Sequence, residues 1–91
     1  MKNLSRIIRL KTLNPFFNAQ CHGYKNFEIR KFDKPFYIGG IIELVEIAAP
    51  KPLREPVETG RTLFLEVTYM LFDFEGIEDG FVILGTKQAD I

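Results

Sequence analysis

Between Arg61 and Phe74 the side chains alternate, with Leu63, Leu65, Val67, Tyr69 and Leu71 on one side and Thr62, Phe64, Glu66, Thr68, Met70 and Phe72 on the other. A two-residue period of this kind is that of a strand with one packed face. The first set is the more continuous and is the expected core face. The rest of the chain is read as what this strand pairs with and packs against.

Leu4 to Thr12 is β-branched and imperfectly alternating, with Ile8 and Leu10 on one face and Ile7 and Arg9 on the other, and reads as a first strand. Asn14-Pro15 supplies a side-chain acceptor followed by a residue suited to the first helical turn, and Gly23 suits a left-handed cap. A helix of about two turns fits between them. Phe16, Ala19 and Gln20 would line one side, with Phe17 over Cys21. Asn26 to Phe32 reads as a second strand closed by the turn Asp33-Lys34-Pro35. Phe36 to Ile47 is mostly apolar, and Gly39 and Gly40 mark a bulge or sharp bend. Pro50, Pro52 and Pro56 make Ala48 to Gly60 an exposed loop. A turn over Gly76 to Gly80 leads to a closing strand, Phe81 to Thr86. Five strands, one short helix and glycine-marked bends predict an α+β, mostly β fold: a small, mainly antiparallel barrel with a helix plugging one end. An open two-layer α+β sheet fits the same pattern.

With 91 residues the chain is expected to be a single domain, residues 1–91. Its 46% apolar content is that of a globular chain, and no apolar run approaches the roughly 20 residues of a membrane span. It is expected to be cytoplasmic. Cys21 is the only cysteine, so an internal disulfide is excluded, and with His22 alone beside it no zinc site is expected. Neither a metal nor a cofactor is foreseen. Formal charge is zero but unevenly spread: residues 1–34 carry eight basic and two acidic side chains, residues 35–91 four basic and ten acidic. That asymmetry permits a basic face attractive to phosphate; mutual neutralisation across the fold is the plainer outcome.

Chemistry concentrates in Gly23-Tyr24-Lys25-Asn26-Phe27-Glu28-Ile29-Arg30. On a strand, Asn26, Glu28 and Arg30 share one face and Phe27 and Ile29 the other, so one face packs and the other is free to bind. Lys25 has no sequence-local acid in ideal position, whereas Glu28 and Arg30 are placed to support each other. Tyr24, Phe36 and Tyr37 are candidates for stacking on an unpaired base, although aromatics in so apolar a chain are more often core. Arg61 follows a turn glycine and reaches toward the same mouth. His22 reads as a surface residue at the helix end.

The pattern Gly-x-Lys-x-x-Glu-x-Arg resembles the signature of the ASCH domains, relatives of the PUA β-barrels associated with RNA. The likeness continues through Lys31, Asp33, Phe36 and Gly39, the strand Ile41 to Val45, Thr59-Gly60-Arg61, Val67 to Leu71 and Gly80 to Gly85. Together these resemble the short stand-alone ASCH-like proteins of bacteria and phages. The resemblance implies a PUA-like mixed barrel and an RNA- or nucleotide-binding module, with Lys11, Lys25, Glu28, Arg30, Lys34 and Arg61 as its contacts. It also implies an alternative, a small hydrolase acting on RNA or a modified nucleoside, with Lys25 and Glu28 as catalytic candidates. In the branch that deacetylates acetylcytidine, a threonine nucleophile stands where this chain has Glu28, and a carboxylate does not do that job by the same chemistry. Lys34 and Gly40 depart from the arginine and aspartate usual in relatives. A third expectation is an accessory protein that binds a protein partner through the acidic C-terminal half. The oligomeric state is left open.

Overall fold

The computed structural model describes residues 6–48, 52 and 55–90. Its elements are β1 (Ile8–Leu13), α1 (Asn14–Cys21), β2 (Phe27–Lys31), β3 (Ile41–Ile47), β4 (Glu58–Phe72) and β5 (Phe81–Gln88). The strands form one curled sheet in the order β1-β3-β4-β5-β2. β1 runs parallel to β3, and the β3–β4, β4–β5 and β5–β2 pairs are antiparallel. This is the mostly β, mainly antiparallel fold that the patterning predicts, as a half-barrel. β1 and β2 end the sheet order without a ladder between them, and the Arg30 guanidinium spans that seam by donating to the Lys11 carbonyl at 3.1 Å.

The core consists of Leu10, Phe17, Phe36, Ile42, Leu44, Leu65, Val67, Val82 and Leu84. Phe36 is thereby removed from the stacking candidates. At the end covered by α1 the inward rows turn polar, and Thr12, Gln20, Glu28, Glu46 and Thr86 are all buried. Gln20 hydrogen-bonds Thr86, and the Gln88 amide donates to the Cys21 carbonyl at 3.0 Å, so the helix is tied to β5 by side chains. Phe17 and Gln20 are its buried residues. Phe16 is exposed while Gln20, expected on the same side of the helix, is buried, so the packed stripe of this short helix runs through Phe17 and Gln20.

Asn14 is not the cap expected of it. Leu13 occupies that place with no side-chain hydrogen bond, and Asn14 instead donates to Glu46 at 2.6 Å. Gly23 does take the left-handed conformation, φ 76°, that lets the chain leave the helix. Gly39 also has positive φ but forms a turn ahead of β3, which begins at Ile41, five residues later than the apolar run suggests. The bulges lie elsewhere, between Val45 and Ile47 and between Val67 and Tyr69. The second of these corrects the phase of the long strand. Thr68 is the extra residue, so beyond it Met70 packs on the core and Tyr69 points out at 62% exposure.

Element ends also shift. β1 starts at Ile8, and Leu4, in the expected strand, lies outside the described residues. β4 starts at Glu58, inside the expected loop, since Glu58 pairs with Ile47. Pro52 and Pro56 are exposed and outside the strands, while Pro50 lies outside the described residues.

Candidate functional site

On β2 the alternation puts Glu28 inward, 2% exposed, and leaves Phe27 and Ile29 partly exposed outside. The polar face is therefore the packed one. A carboxylate tolerates such burial only if its oxygens are fully hydrogen-bonded. Glu28 Oε2 accepts from Lys25 Nζ and from Gln20 Nε2 at 3.0 Å. Oε1 accepts from Arg30 Nη2 at 2.8 Å and Nε at 3.1 Å, so two N–H groups of one guanidinium converge on a single oxygen. Lys25, which has no sequence-local acid in ideal position by its spacing alone, is paired with this buried acid and is 18% exposed. Burial pushes the Glu28 carboxyl upward, but the hydrogen bonds from Lys25, Gln20 and Arg30 outweigh it and hold the group below its ordinary value.

Each donor also ties down a different piece of the fold. Gln20 comes from α1 and donates as well to the Phe27 carbonyl at 3.0 Å. Lys25 comes from the connection after Gly23. Arg30 reaches on to Lys11 of β1. Two carbonyls along the open seam are thus occupied by side chains that meet at Glu28.

A cleft of about 500 Å³ opens over this knot, and its lining includes Lys11, Lys25, Glu28 and Arg30 together with Phe16 and Phe27. Lys25 Nζ lies 5.7 Å from the Phe16 ring centroid and 5.3 Å from that of Phe27, within cation–π range. Arg30 Nη1 makes no hydrogen bond among the described residues, and Lys11, an exposed residue of β1 whose charge also acts on Glu58, is part of the lining. Two cations thus grip one carboxylate, with Lys11 a third basic residue in the lining, beside two partly exposed aromatic rings.

The structure brings together four of the six residues expected to bind. Lys34 does not join them; its ammonium lies 3.8 Å from Asp33 at the surface. Arg61 does not line the cleft either, because it is held on another side of α1. Tyr24 is exposed and stacks on His22, and Tyr37 borders a depression with Arg6, Ile7, Ile8 and Pro35 at the opposite end of β1. Phe16 and Phe27 are the aromatics that serve the cleft. His22 is exposed at the helix end, as expected. The charge asymmetry is partly spent in the fold, since Arg9 pairs with Glu58 at 2.8 Å and Glu43 at 3.4 Å.

Glu46 was not foreseen. It is also 2% exposed, accepting from Thr59 Oγ1 and Asn14 Nδ2, each at 2.6 Å. Its available signal was the inward row Ile42, Leu44, Glu46, an apolar alternation that ends on a carboxylate. Hydrogen bonding from Thr59 is the main effect holding its carboxyl low; burial opposes this, and Asn14 and the Arg61 charge reinforce it. Among the described residues no group of three or more His, Cys, Asp or Glu is placed to hold a metal ion, and no helix is long and apolar enough to cross a membrane.

Fold and cleft together define a small, mainly antiparallel half-barrel whose unpaired seam carries a cationic, aromatic-edged cleft. Residues 7–86 match the model of the family described as a domain of unknown function, DUF3850, and the chain belongs to that family. No curated protein matches it.

Proposed function

We propose that the cleft binds a nucleotide unit, as a free nucleotide or as part of single-stranded RNA. Lys11, Lys25 and Arg30 hold its phosphate, and an exposed phenylalanine ring stacks its base. The observation that carries this reading is the meeting of those three cations with Phe16 and Phe27 in one cleft of about 500 Å³, a size usual for small-molecule sites. Stacking on aromatic side chains is how unpaired bases are taken up, and it requires a base free of its partner strand. The resemblance to ASCH domains points the same way.

Hydrolysis through Lys25 and Glu28 is the weaker reading. A general base requires an oxygen free to take a proton, whereas both oxygens of Glu28 accept hydrogen bonds and its carboxyl is held low. Glu28 is better suited to fixing the cations in place.

Lys11→Gln is the clean test, because the contribution of Lys11 to the Glu28 knot is its backbone carbonyl, which the variant keeps. Binding of short single-stranded RNA is expected to weaken as salt rises, and the variant to bind several-fold more weakly, with a log-log salt slope flatter by about 0.7. Absence of binding by the wild type at low salt, or identical slopes, would contradict the proposal.

A further inference from the structure

Glu46 is held mainly by partners other than Arg61, whose charge is the smallest of the effects on its carboxyl. Its two oxygens already accept 2.6 Å hydrogen bonds from Thr59 and Asn14, whereas Arg61 Nη1 stands 3.5 Å from Oε2. The other polar neighbours of that guanidinium are also at long range, Asn18 Oδ1 at 3.4 Å and Cys21 Sγ at 3.9 Å. Ordinary N–H···O bonds are about 2.7–3.2 Å, so these contacts leave the hydrogen-bonding capacity of Arg61 largely unspent. Yet the group is held in place. Its guanidinium carbon lies 4.9 Å from the centroid of the buried Phe17 ring, and the side chain is 53% exposed.

The position relates to the cleft through two pairs of neighbours. Phe16 lines the cleft and Phe17 underlies Arg61, so the two sites lie on different sides of the first turns of α1. Ile47 lines the cleft and Glu46 stands beside Arg61. A helix with its side chains is roughly 10–12 Å across, a span that one nucleotide seated in the cleft does not cover and a short oligonucleotide does.

We infer that Arg61 is a second phosphate contact across α1 from Lys25, which makes the ligand a single strand of several nucleotides. This rests on the reading of the cleft as a nucleotide site. A strand whose base occupies the cleft passes over the exposed N-terminal turns of α1 and meets the Arg61 fork. Phosphate is the group that a pre-oriented guanidinium with spare donors recognises best.

The experiment compares wild type, Arg61→Gln and Arg61→Lys, each with uridine monophosphate and with hexauridylate at one low salt concentration. Arg61→Gln is expected to weaken hexamer binding by about tenfold and monophosphate binding by less than about twofold, as loss of one charge-assisted contact predicts. A hexamer also offers the cleft several registers, a gain the glutamine variant keeps, so the comparison isolates the side chain. Arg61→Lys, with charge but no fork, is expected to fall between. Equal hexamer affinity in wild type and Arg61→Gln would overturn the inference and leave the cleft reading standing. A parallel loss for both ligands would also overturn it, placing the role of Arg61 in the packing around Glu46. Failure of the wild type to bind either ligand would overturn both readings.

Discussion

Replacing Glu28 by glutamine is expected to lower the unfolding free energy at neutral pH by about 3 kcal/mol, the lower end of what breaking a buried ion pair costs. The lower end applies because Lys25 and Arg30 keep some access to water while Glu28 has almost none. Glutamine fills the same space, but its amide replaces one acceptor oxygen by an NH2 that must face either Lys25 and Gln20 or Arg30, all of them donors. Small domains are stable by only about 5–15 kcal/mol, so the loss is readily measured by denaturant titration. The effect has a pH signature. The Glu28 pKa is lower in the folded state than its unfolded value of about 4.3, so its contribution is complete above that value and disappears as pH falls through the folded pKa. Wild type and Glu28→Gln should therefore converge in acid. Wild type will still lose stability there through Glu46 and Glu58, whose carboxyls are also held low. A loss below about 1 kcal/mol at neutral pH would reduce the knot to an ordinary surface ion pair.

Phe17→Ala is expected to cost about 4 kcal/mol, within the range for truncating a buried phenylalanine. Phe17 is 1% exposed and is the large apolar side chain that α1 buries in the core. Eight residues do not hold a helix in isolation, so the packing of this ring is what keeps the segment helical. The consequences reach both buried acids, since α1 supplies Gln20 to Glu28 and Asn14 to Glu46. Combined with Glu28→Gln, the change is expected to cost less than the sum of the two, because each loosens the other's contacts. Phe16→Ala is the control. Its ring is 51% exposed, and stability should change by no more than about 0.5 kcal/mol. Urea unfolding of the two variants checks the contrast, and equal losses would contradict it.

The two phenylalanines mark how far the sequence could be read. A short helix after Asn14-Pro15 was legible from local chemistry, but which aromatic it buries depends on how it lies on the sheet. Lys25, Glu28 and Arg30 stood out because they are close in sequence. That the face bearing Glu28 turns inward was not legible, because Phe27 and Ile29 are the more apolar pair and a strand's period does not say which side is covered. Glu46 escaped for a different reason: its partners Asn14, Thr59 and Arg61 come together only in the fold. The extra residue Thr68 leaves no mark in composition, yet it reverses the facing of Tyr69 and Met70. The long strand therefore read correctly as far as Val67 and wrongly beyond.

In the proposed function the Glu28 knot fixes Lys25 and Arg30 beneath a nucleotide-binding cleft at the open seam. Residue-resolved NMR titration of the isotopically labelled protein with uridine monophosphate tests it most directly. The predicted shifts gather on Lys11 to Phe16, Lys25 and Phe27 to Arg30, including the Arg30 side-chain Nε–H, while Ile7, Ile8 and Tyr37 at the far end of β1 stay unmoved. No shifts at millimolar nucleotide, or shifts confined to the Tyr37 depression, would contradict it.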